Sequence, residues 1–303
     1  RIGTTRLKKS PRPLRLGYAG EVLRVKGNQL RPERQFGQVG VELIGSDSPA
    51  ADAEVIIMAV EALNALGSGD ISVDLGLPCL VKAVCGDLQI DDASNERLQT
   101  ALDRKDVAEV DALSDKIGAD VTATLSALLS ACGPADSALK AVEKIQLSES
   151  AKLQWQALVD TIALIRSANP TINITVDTVE NRGFEYHSGP TFTLFARGVR
   201  GELGSGGRYL AGSEDTSGEP ATGLTLFMDT VLRAVSPLEK SKRLYLPFST
   251  PASVARKFRE EGWAALHGLT AVDDSKAEAS RLGCSHVLAD GEAFALNPVK
   301  NPS

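Results

Sequence analysis

The chain has 303 residues, of which 24% are charged and 43% hydrophobic, and a formal net charge of −6. That is a folded, globular composition, enough for one large domain or two ordinary ones. It gives a nucleic-acid partner no net electrostatic help, although residues 1–34 are locally rich in Arg and Lys.

Cys79, Cys85, Cys132 and Cys284 form neither a CxxC pair nor a Cys/His cluster. This argues against a zinc site and a disulfide framework, and it suits a reducing cytosol. No apolar run is long enough to span a membrane, and no stretch reads as a signal peptide. The first residue is Arg and the pattern opens part-way, so an N-terminal portion is expected to precede it.

Leu14 to Val25 reads as a strand, Lys26 to Arg34 as a polar loop and Gln35 to Ile44 as a second strand, which together make a hairpin. A tip carrying Arg24, Lys26, Arg31 and Arg34 is either a solvated turn or a phosphate-binding hairpin. Ser48-Pro49 opens a helix, with Ser as N-cap, Asp52 and Glu54 near the positive end of its dipole, and Gly67 as its stop. Ile71 to Leu77 alternates as a strand. Residues 80–168 change to helical periodicity. Helices are predicted after Ser94, over Val107–Ile117, Val121–Leu129 and Leu139–Ile145, and from Ser148 to about Ala168. In the last, Ala151, Trp155, Leu158, Ile162 and Ile165 recur on one face. This reads as a helical insertion with a packing role.

Asn173 to Val179 is another alternating strand, leading into Asn181–Tyr209. There Thr191, Thr193 and Phe195 alternate with Phe192, Leu194 and Ala196, and Gly198 and Gly201 bracket a reversal. Gly204, Gly206 and Gly207 are costly in a plain strand, so a backbone approaches something closely there. Arg182, Glu185, Tyr186 and Arg208 are the polar groups that could face a ligand; the other reading is a Gly-rich hairpin on a sheet edge. Residues 211–219 form a polar loop, and Ala221–Val235 starts as strand and becomes helix. From about 243, strands at Leu244–Phe248, Ala264–Leu269 and His286–Leu288 alternate with helices at Ala252–Glu261 and Ser275–Leu282, a small α/β module. His267 and His286 read as ordinary core or surface histidines, and the tail beyond Pro298 as disordered.

Four segments resemble the histidyl-tRNA synthetase catalytic domain and, more closely, its non-synthetase paralogue, the regulatory subunit of ATP phosphoribosyltransferase. Leu23-Arg24-Val25-Lys26 and Arg34 to Gly45 resemble the two halves of class II motif 2. Arg182 to Gly189 resembles the histidine-specific Arg-Gly-Leu-Asp-Tyr-Tyr-Thr-Gly element, and Gly206-Gly207-Arg208-Tyr209 the Gly-Gly-Arg-Tyr element after it. The resemblance covers roughly residues 1–238 and is carried mainly by the Arg-Gln-Phe-x-Gln-x-Gly-x-Glu pattern.

Departures separate the two relatives. A synthetase needs two arginines on the ATP phosphates. Arg24 resembles the first, but motif 3 reads Gly223 to Thr230, with Asp229 at its glutamate and Thr230 at its arginine. Losing such a clamp costs several kcal/mol, on the order of a hundredfold or more in rate. Phe227 replaces a glycine beside the adenine pocket, and Lys26 replaces a glutamate. The amino-acid side of the pocket matches better: Gln38, Glu42, Arg182, Glu185 and Tyr186 match or nearly match, with Gly206, Gly207 and Arg208 beside them and Arg24 as a phosphate-facing remnant. His187 stands where the family has tyrosine. Carboxylates suit an ammonium or imidazolium, and arginine suits a carboxylate. The other reading is a set of inherited polar groups satisfying one another.

The resemblance implies an α+β fold: a class II aminoacyl-tRNA synthetase-like antiparallel sheet over 1–240, with a helical insertion at 80–168 and a small C-terminal α/β module over 241–303. It implies a cytoplasmic, non-catalytic subunit with no cofactor or metal. That subunit dimerises, joins the short catalytic subunit at the first step of histidine biosynthesis, and carries feedback inhibition by histidine, bound in the old pocket or at the subunit interface. The acidic, short C-terminal module makes a poor tRNA binder. A histidyl-tRNA synthetase, or a stand-alone paralogue binding histidine, are the alternatives.

Overall fold

Ser48 has extended backbone angles, and its Oγ accepts from the Ala51 amide at 3.3 Å, so the helix Pro49–Ala65 (α1) starts at Pro49, whose missing N–H needs no partner. The structure, a computed structural model, describes residues 2–3, 5–23, 25, 34–86, 88, 90–180, 187–212, 218–236 and 241–296. They form two compact units, Arg1–Ser236 and Pro237–Ser303.

The first unit is built on one sheet. Leu14–Leu23 (β1) and Gln35–Ile44 (β2) pair antiparallel from Leu14↔Ile44 to Leu23↔Gln35. Ile71–Gly76 (β3), Gly133–Pro134 (β4), Asn173–Asp177 (β5), His187–Ala196 (β6), Gly204–Ala211 (β7) and Glu219–Phe227 (β8) complete it, in the order β1-β2-β8-β7-β6-β3-β5-β4. All pairs are antiparallel except β3 with β5. Helix Met228–Ala234 (α9) follows β8 directly.

The insertion contributes Pro78–Cys85 (α2), Asp92–Asp103 (α3), Val107–Ala112 (α4), Ser114–Ile117 (α5), Ala119–Ser130 (α6), Ala135–Val142 (α7) and Glu149–Ala168 (α8). The predicted helix over Val107–Ile117 is two helices, because the chain turns at Leu113 and thereby buries both Leu113 and Ile117. Two further elements escaped the periodicity: α2, only eight residues long, and β4, only two. On α8, Ala151, Trp155, Leu158, Ile162 and Ile165 are all buried. They join Val73, Leu75 and Phe192 of the sheet in one continuous core. Burial of each large aliphatic side chain contributes about 1.5–3 kcal/mol, so the insertion is part of the core. Helix α1 packs against one face of this sheet, on β2, β3 and β8, and against α8.

The second unit is a four-stranded sheet, β10-β9-β11-β12, made of Arg243–Leu246 (β9), Ala264–His267 (β10), His286–Ala289 (β11) and Glu292–Ala295 (β12), with helices Ala252–Glu260 (α10) and Ser275–Arg281 (α11). β9 runs parallel to β10 and β11. β12, unread in the sequence, returns from β11 through the Asp290-Gly291 turn, where both φ angles are positive. His286 stacks edge-on against Trp263 at 4.7 Å, and His267 is exposed. The tail beyond Pro298 lies outside the described residues.

Candidate functional site

Five strands bring one residue each to a single cross-strand row: Glu42 on β2, Gly223 on β8, Gly207 on β7, Thr191 on β6 and Gly76 on β3. Successive residues of a strand point to opposite faces, so this row defines the face away from α1. A cavity of about 400 Å³ lies over it, lined among others by Glu42, Glu180, His187, Glu202, Tyr209 and Thr225.

Two glycines create the room. A Cβ on Gly223 would stand 2.9 Å from the Glu42 carboxyl carbon, and one on Gly207 would stand 2.8 Å from the His187 ring. Bare backbone at these positions lets the carboxylate and the imidazole lie flat across the sheet. The Tyr209 hydroxyl donates to Glu42 Oε2 at 2.8 Å. Beside it, the Tyr18 and Thr225 hydroxyls share a hydrogen bond of 2.6 Å.

Burial pushes the Glu42 carboxyl above its ordinary value, opposed by the Tyr209 hydrogen bond. Burial likewise raises the Tyr18 phenol; the Thr225 bond opposes this, and the Glu42 charge adds to it. The charged and titratable side chains described around the cavity are mostly carboxylates: Glu42, Glu180 and Glu202, with the His187 imidazole and the Tyr209 phenol. Such a lining accepts a cation, an ammonium or an imidazolium. Among the described residues no group of three or more His, Cys, Asp or Glu could hold a metal ion, and no helix is long and apolar enough to cross a membrane.

The predicted site residues fall into three sets. Glu42, Gly206 and Gly207 border the cavity. A Cβ on Gly206 would point the other way, into the Phe192 ring 2.5 Å off, so this glycine serves core packing as well. Gln38 shares the face of Glu42 but lies four residues, about 13 Å, along β2, and it does not line the cavity.

Arg208 is the correction. It sits between Gly207 and Tyr209, so its side chain points through the sheet to α1. There its Nε donates to Asp52 Oδ1 at 3.2 Å and its Nη2 to Asp52 Oδ2, and the Thr222 hydroxyl donates to Asp52 Oδ1 at 2.6 Å. Arg208 is 8% exposed and Asp52 1%. A guanidinium so held faces no ligand. Asp52, read in the sequence as a charge near the positive end of the helix dipole, is also a buried partner of Arg208. Burial raises its carboxyl, against the pull of Arg208 and Thr222.

Arg24, Arg182, Glu185 and Tyr186 lie outside the described residues, as do Lys26 and Arg31 of the hairpin tip and 213–217 of the polar loop. Tyr209, Glu180 and Glu202 were not singled out. Period two counted from Gly207 would have selected Tyr209 instead of Arg208; Glu180 and Glu202 sit in connecting segments, where no such rule applies.

The segment matching motif 3 has no phosphate clamp. Thr230 is fully buried, and its hydroxyl accepts from Arg233 Nη2 at 3.1 Å. Phe227 packs edge-to-face on Phe36, ring centres 6.0 Å apart.

A protein-family model described as histidyl-tRNA synthetase matches residues 1–231. The chain is 48% identical over 291 residues to the ATP phosphoribosyltransferase regulatory subunit of Rhodospirillum centenum, covering 96% of this chain and 74% of that one. It is 50% identical over 288 residues to the corresponding subunit of Paramagnetospirillum magneticum, covering 95% and 74%. A solved structure from Bacillus halodurans, described as an ATP phosphoribosyltransferase regulatory subunit/histidyl-tRNA synthetase, matches with a TM-score of 0.75 and 26% identity over 92% of this chain and 74% of that one. With nearly its whole length aligned at about half identity, on a synthetase-like fold that carries Thr230 at the motif 3 arginine position, the chain belongs to the ATP phosphoribosyltransferase regulatory subunit family.

Proposed function

We propose that the chain joins the short catalytic subunit of ATP phosphoribosyltransferase in the cytoplasm, as a dimer, without catalytic residues of its own. It supports condensation of ATP with phosphoribosyl pyrophosphate, the first step of histidine biosynthesis, and transmits inhibition by histidine. Histidine occupies the cavity over Glu42 and binds one global state of the complex better than another, as a feedback ligand must.

The observation that carries this reading is Glu42, laid over Gly223 and held by Tyr209 in a cavity lined by further carboxylates. It is an acceptor for a cationic amino acid. Gln38, Arg182, Glu185 and Tyr186 belong to the same proposed site, with Arg182 meeting the ligand carboxylate. Thr230 and Phe227 support loss of adenylate chemistry with retention of the amino-acid half.

The test is activity of the short catalytic subunit with and without this chain, titrated with histidine. Activity is expected to depend on the chain and to fall with histidine. Glu42→Gln and Arg182→Ala are expected to weaken inhibition about tenfold or more, consistent with loss of a charge-assisted hydrogen bond, with assembly intact. Unchanged inhibition in both variants would move histidine to the subunit interface.

A further inference from the structure

The buried cluster on the helix side of the sheet and the cavity on the other side share strands at the same level. Arg208 and Tyr209 are consecutive on β7; Thr222 and Gly223 are consecutive on β8. Within each pair, one residue binds Asp52 and the other builds the cavity. Tyr209 donates to Glu42, and Gly223 is the bare backbone under Glu42.

The geometry points to Asp52 as a positioning residue for the cavity. By drawing Arg208 and Thr222 towards α1, it sets the level at which β7 presents Tyr209 to Glu42. This deepens, and rests on, the reading of the cavity as the ligand site.

The bond set is tight. The guanidinium donates to both oxygens of a carboxylate that Thr222 also holds. Arg208 has little freedom to settle elsewhere, because its stem runs past Gly189, where even a Cβ would come 2.9 Å from its Cδ. A buried arginine without its carboxylate is costly, so α1 and the strands move together. α1 is tied again at its outer face, where Arg15 Nη2 of β1 donates to Glu54 at 2.8 Å. A displacement of α1 therefore reaches Glu42 through Asp52–Arg208, one peptide unit, and Tyr209–Glu42. Around Glu42 the described groups that carry or take up charge are Tyr18 on β1, Tyr209 on β7, His187 on β6, and Glu180 and Glu202 of the connecting segments. Of these, Tyr209 supplies the bond that favours the ionised carboxylate.

The test is the carboxyl titration of Glu42 in the unliganded full chain, followed by carbon-detected NMR and assigned with Glu42→Gln. Wild type is compared with Asp52→Asn, Tyr209→Phe and the double variant. Asp52→Asn is expected to move the titration to higher pH, as Tyr209→Phe does, and to add nothing in the Tyr209→Phe background. A titration unmoved by Asp52→Asn, or shifts that add in the double variant, overturns the proposal. If Asp52→Asn does not fold, Thr222→Val decides: it removes one of the three bonds and is expected to give a smaller shift in the same direction, and no shift overturns the proposal. The readout needs no ligand. A wild-type titration indifferent to added histidine would sink the ligand assignment and leave the coupling standing.

Discussion

Arg233 Nη2 donates to the Thr230 hydroxyl at 3.1 Å, one helical turn along α9. The position where a synthetase carries its motif 3 arginine is thus filled by a short, fully buried side chain that already has its donor. Restoring the arginine does not restore the chemistry. Thr230→Arg forces a long charged group into closed packing and is expected to cost about 3 kcal/mol or more. Histidine-dependent ATP–pyrophosphate exchange should stay at background in both proteins. Thermal unfolding and the exchange assay read the two halves of this prediction, and exchange above background in either protein would contradict it.

Gly223→Ala separates cavity from fold. The new methyl would meet the Glu42 carboxyl group, so Glu42 must leave its place over the sheet. Histidine binding by calorimetry should weaken at least about tenfold, the scale of a lost charge-assisted bond, at a stability cost of about 1–3 kcal/mol. Gly67→Ala is the control. Its Cβ meets nothing, and only its positive φ is strained, so it should cost about 1 kcal/mol and leave binding unchanged.

The pH dependence follows from opposite shifts. The Glu42 carboxyl is raised in the folded chain by burial. Its contribution is therefore fully present below the unfolded value of about 4.3 and is lost as pH rises through the folded value. Glu42→Gln should raise Tm relative to wild type at pH 7, with the difference fading towards pH 4. Glu54 is lowered, chiefly by its hydrogen bond to Arg15. Its contribution is present above the unfolded value and lost as pH falls through the folded one, so Glu54→Gln should lower Tm slightly at pH 7 and lose that effect in acid or high salt. Melting curves from pH 4 to 8 check both signs.

Leu158 on α8 is fully buried in the core shared with the sheet. Leu158→Ala should cost about 2–5 kcal/mol. Because the helices and strands share that core, residues 1–236 should lose helical and strand circular dichroism in one transition. A separate early melting of helical signal would show the insertion to be a domain of its own.

Burial pushes the Cys79 and Cys85 thiols up to about 11. At pH 7.5 iodoacetamide should modify them at least about a hundredfold more slowly than an exposed cysteine, and at the ordinary rate in denaturant. Peptide mass spectrometry of the alkylated chain distinguishes the two.

Much of the architecture was written locally. Gln35–Ile44 alternates, Ser48-Pro49 is a complete helix start, and the stripe Ala151 to Ile165 has one helical face. The elements that escaped, α2, β4 and β12, are too short to carry a period. Glu42, Gly206 and Gly207, singled out from the sequence, border the cavity, although the same residues read equally as a Gly-rich hairpin with polar groups satisfying one another. Arg208 was misread: the motif marked it as polar, while its direction depends on strand parity and on an aspartate 156 positions earlier. No local pattern links positions so far apart; only the sheet register and the packing of α1 do.

The Asp52–Arg208 pair also changes how the Gly-Gly-Arg-Tyr element should be used when related chains are compared. Its arginine is bound to the inheritance of position 52, not to the ligand. A lineage that replaces the aspartate with an apolar residue should shed the arginine as well, since co-varying positions report contact. A lineage that changes its ligand should keep both and diverge at Glu42, His187 and Tyr209. Substitution histories at 52 and 208 thus record the scaffold, and those at 42, 187 and 209 record what the cavity holds.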